Sequence, residues 1–414
     1  MTSAPGLDRP TNEPSTNERL DRLTDYPFTR LAALLSGITP RSNVEPTVMS
    51  IGEPQHPPPA LIDEVLRANT HLWGKYPPVA GTPDWRAAVG DWLNRRYRLP
   101  AGLFDPETSV LPAAGTREAL FQTAILAVPE RKNGRVPAVL MPNPFYAVYE
   151  GAGLLAGGEP VFLPATRETG FLPDLDALDP ELLARTALFY LCTPANPQGA
   201  AADAAYLRRA IALARQYDFV LAVDECYAEI YLDAPPTGVL EVAAAMEHGG
   251  QPWANLLIFH SLSKRSNAAG LRSGFVAGDP RLIAKFARLR SYSNAGTPLP
   301  ILAASAALWR DEAHVVENRA AYRAKFDAAE AALQGRFGYV RPAGGFFLWL
   351  DVGDGEEATR RLWTEGGIRV LPGAYLTRSL PGQPNAGAPY IRVALVHDTD
   401  TVARACAMLS RVLG

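Results

Sequence analysis

Residues 255–264 read Asn-Leu-Leu-Ile-Phe-His-Ser-Leu-Ser-Lys, and residues 269–275 read Ala-Gly-Leu-Arg-Ser-Gly-Phe. The apolar run predicts a buried strand, which two serines and Lys264 follow. The second stretch adds the guanidinium of Arg272 on glycine-flexible backbone. An amine can condense with an aldehyde, and hydroxyls with an arginine fork suit a phosphate dianion. Pyridoxal 5′-phosphate (PLP) carries both groups, so these stretches predict a site for that cofactor.

The whole chain excludes several other kinds of protein. It has 414 residues and a formal net charge of −3, which predicts two domains and argues against nucleic-acid binding. Cys192, Cys226 and Cys406 lack metal-ligand spacing, so we expect reduced thiols and no metal site. No apolar stretch approaches the length of about 18 residues that a membrane span needs. The N-terminus has no signal-peptide pattern, so we expect a cytoplasmic protein without membrane contact.

Short apolar runs alternate with helical patterns from about residue 108 onward. This β-α-β rhythm predicts an α/β fold with a mainly parallel sheet between helices. After residue 295 a long helical stretch and two strand-like runs predict a smaller α/β C-terminal domain. We therefore expect a disordered N-terminal arm at 1–25, a segment at 26–50 that packs on the small domain, a large PLP-binding domain at 51–295 and the small domain at 296–414.

Polar residues follow several predicted strands, at the edge where open α/β sheets bind ligands. Gly115, Thr116 and Arg117 lie between a strand and a helix, where free N–H groups favour a phosphate. An ordinary N-cap by Thr116 is the alternative. Asp224 ends the apolar run 219–223, and a buried carboxylate is costly unless a cation pairs with it. A protonated pyridine nitrogen is such a cation, although a helix cap or a structural ion pair would also account for Asp224.

Three further residues suit a planar cofactor ring that carries an oxygen substituent. Tyr227 and Asn196 can donate hydrogen bonds to the 3′-oxygen of PLP, and Tyr146 can stack on the ring. Each has an alternative, because the two tyrosines could be packed aromatics and Asn196 could belong to an ordinary turn.

Arg392 lies within the apolar run Tyr390–Leu395. An arginine there is costly to bury without an anion, and bidentate binding of an amino acid's α-carboxylate would supply one. We expect Asn196 and the backbone of Gly52 beside the same carboxylate. The alternative is that Arg392 lies on the exposed face of its strand.

Together these residues resemble those of the class I and II aminotransferases, which are fold-type I PLP enzymes, from about Asp25 to the C-terminus. The most specific element is the pattern Ser-x-Ser-Lys…Gly-x-Arg-x-Gly. The resemblance implies a seven-stranded sheet, amino-acid and keto-acid substrates, and a homodimer with a shared active site. It assigns catalysis to Lys264, cofactor contacts to Gly115, Thr116, Arg117, Tyr146, Asn196, Asp224, Tyr227, Ser261, Ser263, Lys264, Arg272 and the partner-reaching Tyr76, and substrate contacts to Gly52, Asn196 and Arg392.

Within this family the chain most resembles the succinyldiaminopimelate aminotransferases of bacterial lysine biosynthesis, which use glutamate and 2-oxoglutarate as the donor and acceptor pair. Gln198 replaces the usual threonine of the family, and Gln55 replaces a lysine expected in the subgroup. A role for position 55 in binding a distal carboxylate is weaker for that reason. The matching runs are Ser50–Pro57, Asn143–Tyr146, Tyr149–Gly151, Ser261–Gly278, Asp311–Val315 and Val370–Gly373, and the candidate distal cations are Lys75, Arg41, Arg265 and Arg290.

Three other functions share most of these motifs. The first is an aminotransferase for aspartate, aromatic amino acids or alanine. The second is a PLP-dependent carbon–sulfur β-lyase. The third is a non-catalytic regulator with the same fold, which would need a DNA-binding domain. Only about 25 residues precede the matching region, and they show no helix-turn-helix pattern.

Overall fold

A computed structural model describes residues 16–41, 45–247, 249–293 and 296–414. Among these residues, no helix is long and apolar enough to cross a membrane. The helices are α1 (Pro27–Leu34), α2 (Leu61–Ala68), α3 (Pro83–Tyr97), α4 (Pro106–Ser109), α5 (Thr116–Ala127), α6 (Ala147–Leu155), α7 (Pro180–Arg185), α8 (Ala204–Gln216), α9 (Val239–Ala245), α10 (Leu262–Arg265), α11 (Pro280–Ser293), α12 (Leu299–Arg310), α13 (Ala313–Leu333), α14 (Gly355–Gly366) and α15 (Thr399–Leu413).

The large domain is built on a seven-stranded sheet with the order β2-β8-β7-β6-β5-β3-β4. All neighbouring strands are parallel except those that pair with β8, which is antiparallel to β2 and β7. The prediction of a mainly parallel seven-stranded sheet is therefore confirmed. The strands of the chain are β1 (Thr47–Val48), β2 (Val110–Ala113), β3 (Ala138–Asn143), β4 (Glu159–Pro164), β5 (Thr186–Cys192), β6 (Val220–Asp224), β7 (Leu256–Ser261), β8 (Gly274–Gly278), β9 (Phe347–Asp351), β10 (Ile368–Arg369), β11 (Leu371–Pro372) and β12 (Tyr390–Ala394).

Both faces of this sheet are buried, which explains why its strands read as continuous apolar runs. In β6, Leu221 and Val223 belong to the core on one face. Val220 and Ala222 belong to the core on the other face. Successive side chains of a strand point to opposite faces, so Asp224 lies on the same face as Ala222. The helices of the large domain cover these two cores.

Capping side chains mark where several helices begin. Thr82 accepts a hydrogen bond from a backbone N–H in the first turn of α3, and Asp203 does the same for α8. Asp354 caps α14 and Asp398 caps α15 in the small domain. Each cap satisfies a backbone donor that the helix itself leaves without a partner.

The small domain has a three-stranded sheet with the order β11-β12-β9, covered by α13, α14 and α15. The segment at 26–50 contacts this domain at several points. Leu31 and Leu35 pack in one apolar cluster with Leu371 and Tyr375. Strand β1 pairs in parallel with β10.

Contacts near the N-terminus and in α12 bear on the domain bounds, which stay predictions. The disordered arm predicted at 1–25 falls for residues 1–15 outside the described residues, but residues 16–25 are placed, and Arg19 Nη1 donates to the Leu155 carbonyl (3.1 Å). The small domain is predicted to begin at 296, in a range that includes α12. Trp309 and its neighbours in α12 belong to the core of the large domain. A very apolar helix does not reveal from its sequence which domain it packs against.

Two glycines of the 269–275 stretch differ in their surroundings, which allows a matched test. A Cβ on Gly274 would lie 2.4 Å from the His260 carbonyl oxygen, whereas a Cβ on Gly270 would meet nothing within 4 Å. We expect Gly274→Ala to lower the free energy of unfolding by about 1–3 kcal/mol and Gly270→Ala to change it by less than about 0.5 kcal/mol. Denaturant or thermal unfolding measures both. Equal losses for the two variants would contradict this packing.

Candidate active site

A cavity of about 510 Å³ lies at the carboxyl edge of the central sheet, between the large and small domains. Its volume is within the range of about 300–1,000 Å³ usual for ligand pockets. Tyr76 does not line it, and Gly115 lies directly before a lining residue. The other predicted site residues all line it, namely Gly52, Thr116, Arg117, Tyr146, Asn196, Asp224, Tyr227, Ser261, Ser263, Lys264, Arg272 and Arg392.

Lys264 lies in α10, the four-residue helix that directly follows β7. Ser261 caps this helix, since its Oγ accepts a hydrogen bond from the Ser263 backbone N–H (3.1 Å). The Nζ of Lys264 donates to the Gly52 carbonyl and lies 5.3 Å from the Phe346 ring centroid. Burial lowers the pKa of Lys264 to about 8. A neutral amine, the form that attacks aldehydes, is therefore accessible near neutral pH.

Asp224 ends β6 with its carboxylate in the cavity. The Tyr149 hydroxyl donates to its Oδ2 (2.8 Å), and the Cys226 N–H donates to its Oδ1 (3.3 Å). Burial raises the pKa of Asp224. Among the described residues, no lysine, arginine or histidine forms an ion pair with it. A carboxylate in this setting suits a cationic partner such as a protonated ring nitrogen.

Arg272 and Gly115 form one close contact that suits phosphate binding. Arg272 adopts a left-handed backbone conformation with φ of 52°, and such strain persists where the surroundings impose it. Its Nη2 donates to the Ala114 carbonyl (2.9 Å). Gly115 has φ of 84°, and a Cβ there would lie 2.4 Å from Arg272 Nη2. The N-terminus of α5 thus has no side chain before it, which leaves its N–H groups accessible to an anion.

Arg117 is held by two tyrosines of the cavity wall. Its Nε donates to the Tyr146 hydroxyl (2.7 Å), and its Nη2 donates to the Tyr26 hydroxyl (3.1 Å). Tyr26 belongs to the N-terminal segment and was not predicted as a site residue. In the sequence Tyr26 directly precedes Pro27, and this pair predicts only a local turn or a helix boundary. Tyr149 was also missed, although its position three residues after Tyr146 would place the two rings on neighbouring helical positions.

Arg392 points into the protein and not to solvent. It is 5% exposed, so the alternative of an exposed strand face is excluded. Its Nη1 donates to Asn196 Oδ1 (3.1 Å), its Nη2 donates to the Ser50 carbonyl (2.8 Å), and its guanidinium carbon lies 4.3 Å from the Phe347 ring centroid. Its Nε is buried without a partner among the described atoms. Burial lowers the pKa of Arg392 to about 10, as expected for a cation that lacks its anion.

The remaining predicted residues have different surroundings. Tyr227 packs edge-on against Phe346 and Phe347. Gly52 presents its carbonyl to Lys264. Tyr76 is 96% exposed and lies outside the cavity. An exposed tyrosine of this kind is free to contact another subunit.

None of the four candidate distal cations lines the cavity. Arg265 is buried and donates to the Leu308 carbonyl (2.7 Å) and to Glu312 (2.8 Å). Arg290 is buried and donates to the Pro112 carbonyl. Lys75 and Arg41 are exposed. Among the described residues that line the cavity, Arg117 is a cation in addition to Lys264, Arg272 and Arg392, and its hydrogen-bond partners differ from theirs.

Cations outnumber acids in the cavity lining, which contains Arg117, Lys264, Arg272 and Arg392 against Glu53 and Asp224. Such an excess is unfavourable unless anions are bound. A phosphate dianion with substrate carboxylates would compensate it. Three features therefore fit PLP. They are the cationic donors, Asp224 without an ion pair among the described residues, and the close approach of Gly115 to Arg272.

Comparison with known proteins agrees with this chemistry. A sequence model of the family "Aminotransferase class I and II" matches residues 45–409. The chain is 31% identical to an LL-diaminopimelate aminotransferase of Syntrophobacter fumaroxidans, over 94% of this chain and 96% of the relative. It is 33% identical to the 4-dedimethylamino-4-oxo-anhydrotetracycline transaminase OxyQ of Streptomyces rimosus, over 87% and 92%.

A solved structure shows the same fold. An aminotransferase from Neisseria meningitidis superposes with a TM-score of 0.90 at 40% identity, over 96% of this chain and 100% of that chain. The family match covers far more than half of the sequence, and members of the family use PLP. The chain therefore belongs to the class I and II aminotransferases and is a PLP-dependent transaminase.

Proposed function

We propose that this enzyme transfers the amino group of glutamate to N-succinyl-2-amino-6-ketopimelate, the succinyldiaminopimelate transaminase reaction of bacterial lysine biosynthesis. The observation that carries the proposal is a further arginine in the cavity, Arg117, which forms no ion pair among the described residues and has different partners from Arg392. Two separate cations suit a substrate with carboxylates at both ends. The motif runs and the similarity to LL-diaminopimelate aminotransferases support the same substrate class.

Lys264 is the proposed catalytic residue. Its Nζ would hold the cofactor, and its neutral amine would accept the proton from the substrate Cα. Bound PLP supplies an electron sink for the electrons that this proton leaves behind. The lowered pKa of Lys264, about 8, makes its neutral form available as the base.

The other cavity residues orient the cofactor in this proposal. Asp224 would hold a proton on the pyridine nitrogen, which would keep the ring electron-withdrawing. Asn196 and Tyr227 would bind the 3′-oxygen, and Tyr146 would stack on the ring. The proposed phosphate site consists of Ser261, Ser263, Arg272 and the helix start at Gly115 and Thr116.

We assign the orientation of the substrate to Arg392 and Arg117. Arg392, with Asn196 beside it, binds the α-carboxylate through its fork of donors. Arg117 was predicted on the cofactor side, but its guanidinium is held between Tyr26 and Tyr146. We assign it to the distal carboxylate of the substrate for that reason.

The assembly we propose is a cytoplasmic homodimer with a shared active site. Tyr76 supports it, because this tyrosine is almost fully exposed and follows Trp73, a second exposed aromatic residue, by three positions. The tyrosine would reach the phosphate bound by the partner subunit. Small amino and keto acids are the proposed ligands, with no nucleic acid and no membrane.

Removing the proposed catalytic amine tests the first part of this proposal. We expect Lys264→Ala to abolish both the visible absorbance of the bound cofactor and transamination, because no other group replaces the Nζ. Absorbance spectra and single-turnover rates with glutamate measure this. The exposed Lys285 provides the control, as Lys285→Ala should resemble the wild type. Retained transamination by Lys264→Ala would exclude the assignment.

The two arginines should affect different substrates. We expect Arg117→Ala to raise KM for the long dicarboxylate acceptor about 10- to 100-fold, as for loss of a charged hydrogen bond, with KM for pyruvate little changed. Arg117→Lys should recover part of the loss. Arg392→Ala should lower kcat/KM for every amino-acid substrate. Arg281→Ala, at an exposed arginine outside the cavity, is the control. An equal effect of Arg117→Ala on pyruvate would refute the distal role.

A donor and acceptor screen decides between the substrates. We expect kcat/KM to be highest for glutamate with N-succinyl-2-amino-6-ketopimelate. Activity confined to aspartate, aromatic amino acids or alanine would overturn the proposal, and a preference for unsuccinylated LL-diaminopimelate would assign the chain the reaction named for its relatives. Pyruvate release from cystathionine without a keto acid would identify a β-lyase.

A further inference from the structure

The run Asp311–Val315 matches the aminotransferase subgroup but does not line the cavity. The structure places it where the chain leaves α12, in the large-domain core, and enters α13, which extends into the small-domain core. There it contacts residues 264–267, the segment that contains Lys264. We call residues 311–318 the clasp.

The first clasp contact is an ion pair with the residue after the lysine. Arg265 Nη2 lies 2.8 Å from Glu312 Oε1. Its Nη1 donates to the Leu308 carbonyl (2.7 Å), and its guanidinium lies over the Trp309 ring at 4.9 Å. Arg265 is 2% exposed, so its side chain is anchored by the α12–α13 connection and not by the substrate.

The second contact is a chain of hydrogen bonds through three side chains. His314 Nδ1 lies 2.5 Å from Asp311 Oδ2, and His314 Nε2 lies 2.8 Å from Ser266 Oγ. The ionised carboxylate can only accept, so Nδ1 carries the hydrogen and Nε2 accepts from the Ser266 hydroxyl. Burial lowers the pKa of His314, which favours this neutral ring.

The order serine, histidine and aspartate is that of a hydrolase triad, but Ser266 is fully buried. No substrate can approach its hydroxyl. The hydrogen-bonded chain therefore holds the backbone at Ser266, two residues after Lys264.

The third contact caps the lysine helix. Asn318 Nδ2 donates to the carbonyls of Lys264 (3.2 Å) and Arg265 (3.3 Å), and its Oδ1 accepts from Asn267 Nδ2 (3.1 Å). The last carbonyls of a helix have no partner within it. A helix of four residues depends on such caps more than a long one, and Asn318 supplies the cap at the end opposite Ser261.

We propose that His314 and Asn318 are positioning residues that hold α10 in place and so aim the Nζ of Lys264 at the substrate Cα. The inference rests on the proposed catalytic role of Lys264. Proton transfer requires the amine within hydrogen-bond reach of the reacting carbon, and a displacement of about 1 Å can cost about 100-fold in rate. The clasp also connects residues 264–267 to the point where the chain passes from the large-domain core to the small-domain core.

The test uses the holoenzyme with three variants, Asn318→Asp, His314→Ala and Ser266→Ala. We expect kcat to fall about 10- to 100-fold with KM for either substrate changed less than about threefold. His314→Gln, which can still accept from Ser266, should recover part of kcat. The pH at which the visible cofactor band changes should shift. Amide hydrogen exchange of residues 262–267 should be faster in the variants, with and without cofactor.

Ser410→Ala is the matched control, since it removes one hydrogen bond from the Ser410 hydroxyl to the Ala332 carbonyl of α13, far along that helix from the clasp. It should leave kcat, the band and the exchange of 262–267 unchanged. Ser266→Ala removes a single hydroxyl and keeps the test decisive if Asn318→Asp does not fold.

Two results would overturn the inference. One is lower thermal stability of the clasp variants with kcat, the cofactor band and the exchange of 262–267 at wild-type values. The other is a raised KM with kcat unchanged. Lys264→Ala in the same series separates the two proposals, because a visible band that survives in that variant refutes the role of Lys264 itself, whereas a band lost there but unaltered in the clasp variants refutes only the clasp.

Discussion

Uncompensated positive charge at the carboxyl edge of the central sheet is the constraint on which the rest of the site depends. Lys264 and Arg392 are both buried deeply enough for burial to lower their pKa values. Two arginines join them in a cavity with two lining carboxylates. Such an arrangement is costly in the absence of anions. The phosphate of PLP and the carboxylates of the substrates supply the missing charge, which couples ligand binding to the stability of the site.

The sheet topology brings these charges together. Parallel strands end at one edge, so residues after β5, β6 and β7 meet there although they are far apart in sequence. Strand β8 runs antiparallel to β7, and its start therefore lies at the same edge as the end of β7. Arg272, which precedes β8, is returned in this way to the neighbourhood of Lys264.

Much of the fold and site was predictable because its signals are local. Buried strands read as apolar runs, and Asp224 and Lys264 stand out as polar residues directly after them. Tyr26 and Tyr149 were missed because their roles lie in contacts across 91 and 75 residues of sequence. The sequence does not show which core α12 joins, because this helix is apolar enough to fit either one, and its packing against α2 and α3 is a tertiary contact.

The sequence by itself determined the α/β class, the cofactor chemistry around Lys264 and the residues that follow each strand, because these depend on periodicity and on functional groups close in the chain. Only the tertiary structure decided which arginines face the cavity. Arg392 points inward, and Arg117 lies between two tyrosines. Arg265 and Arg290 donate to backbone carbonyls away from the cavity. The direction of a long charged side chain is set by the partners that packing brings near it, and those partners come from distant parts of the chain.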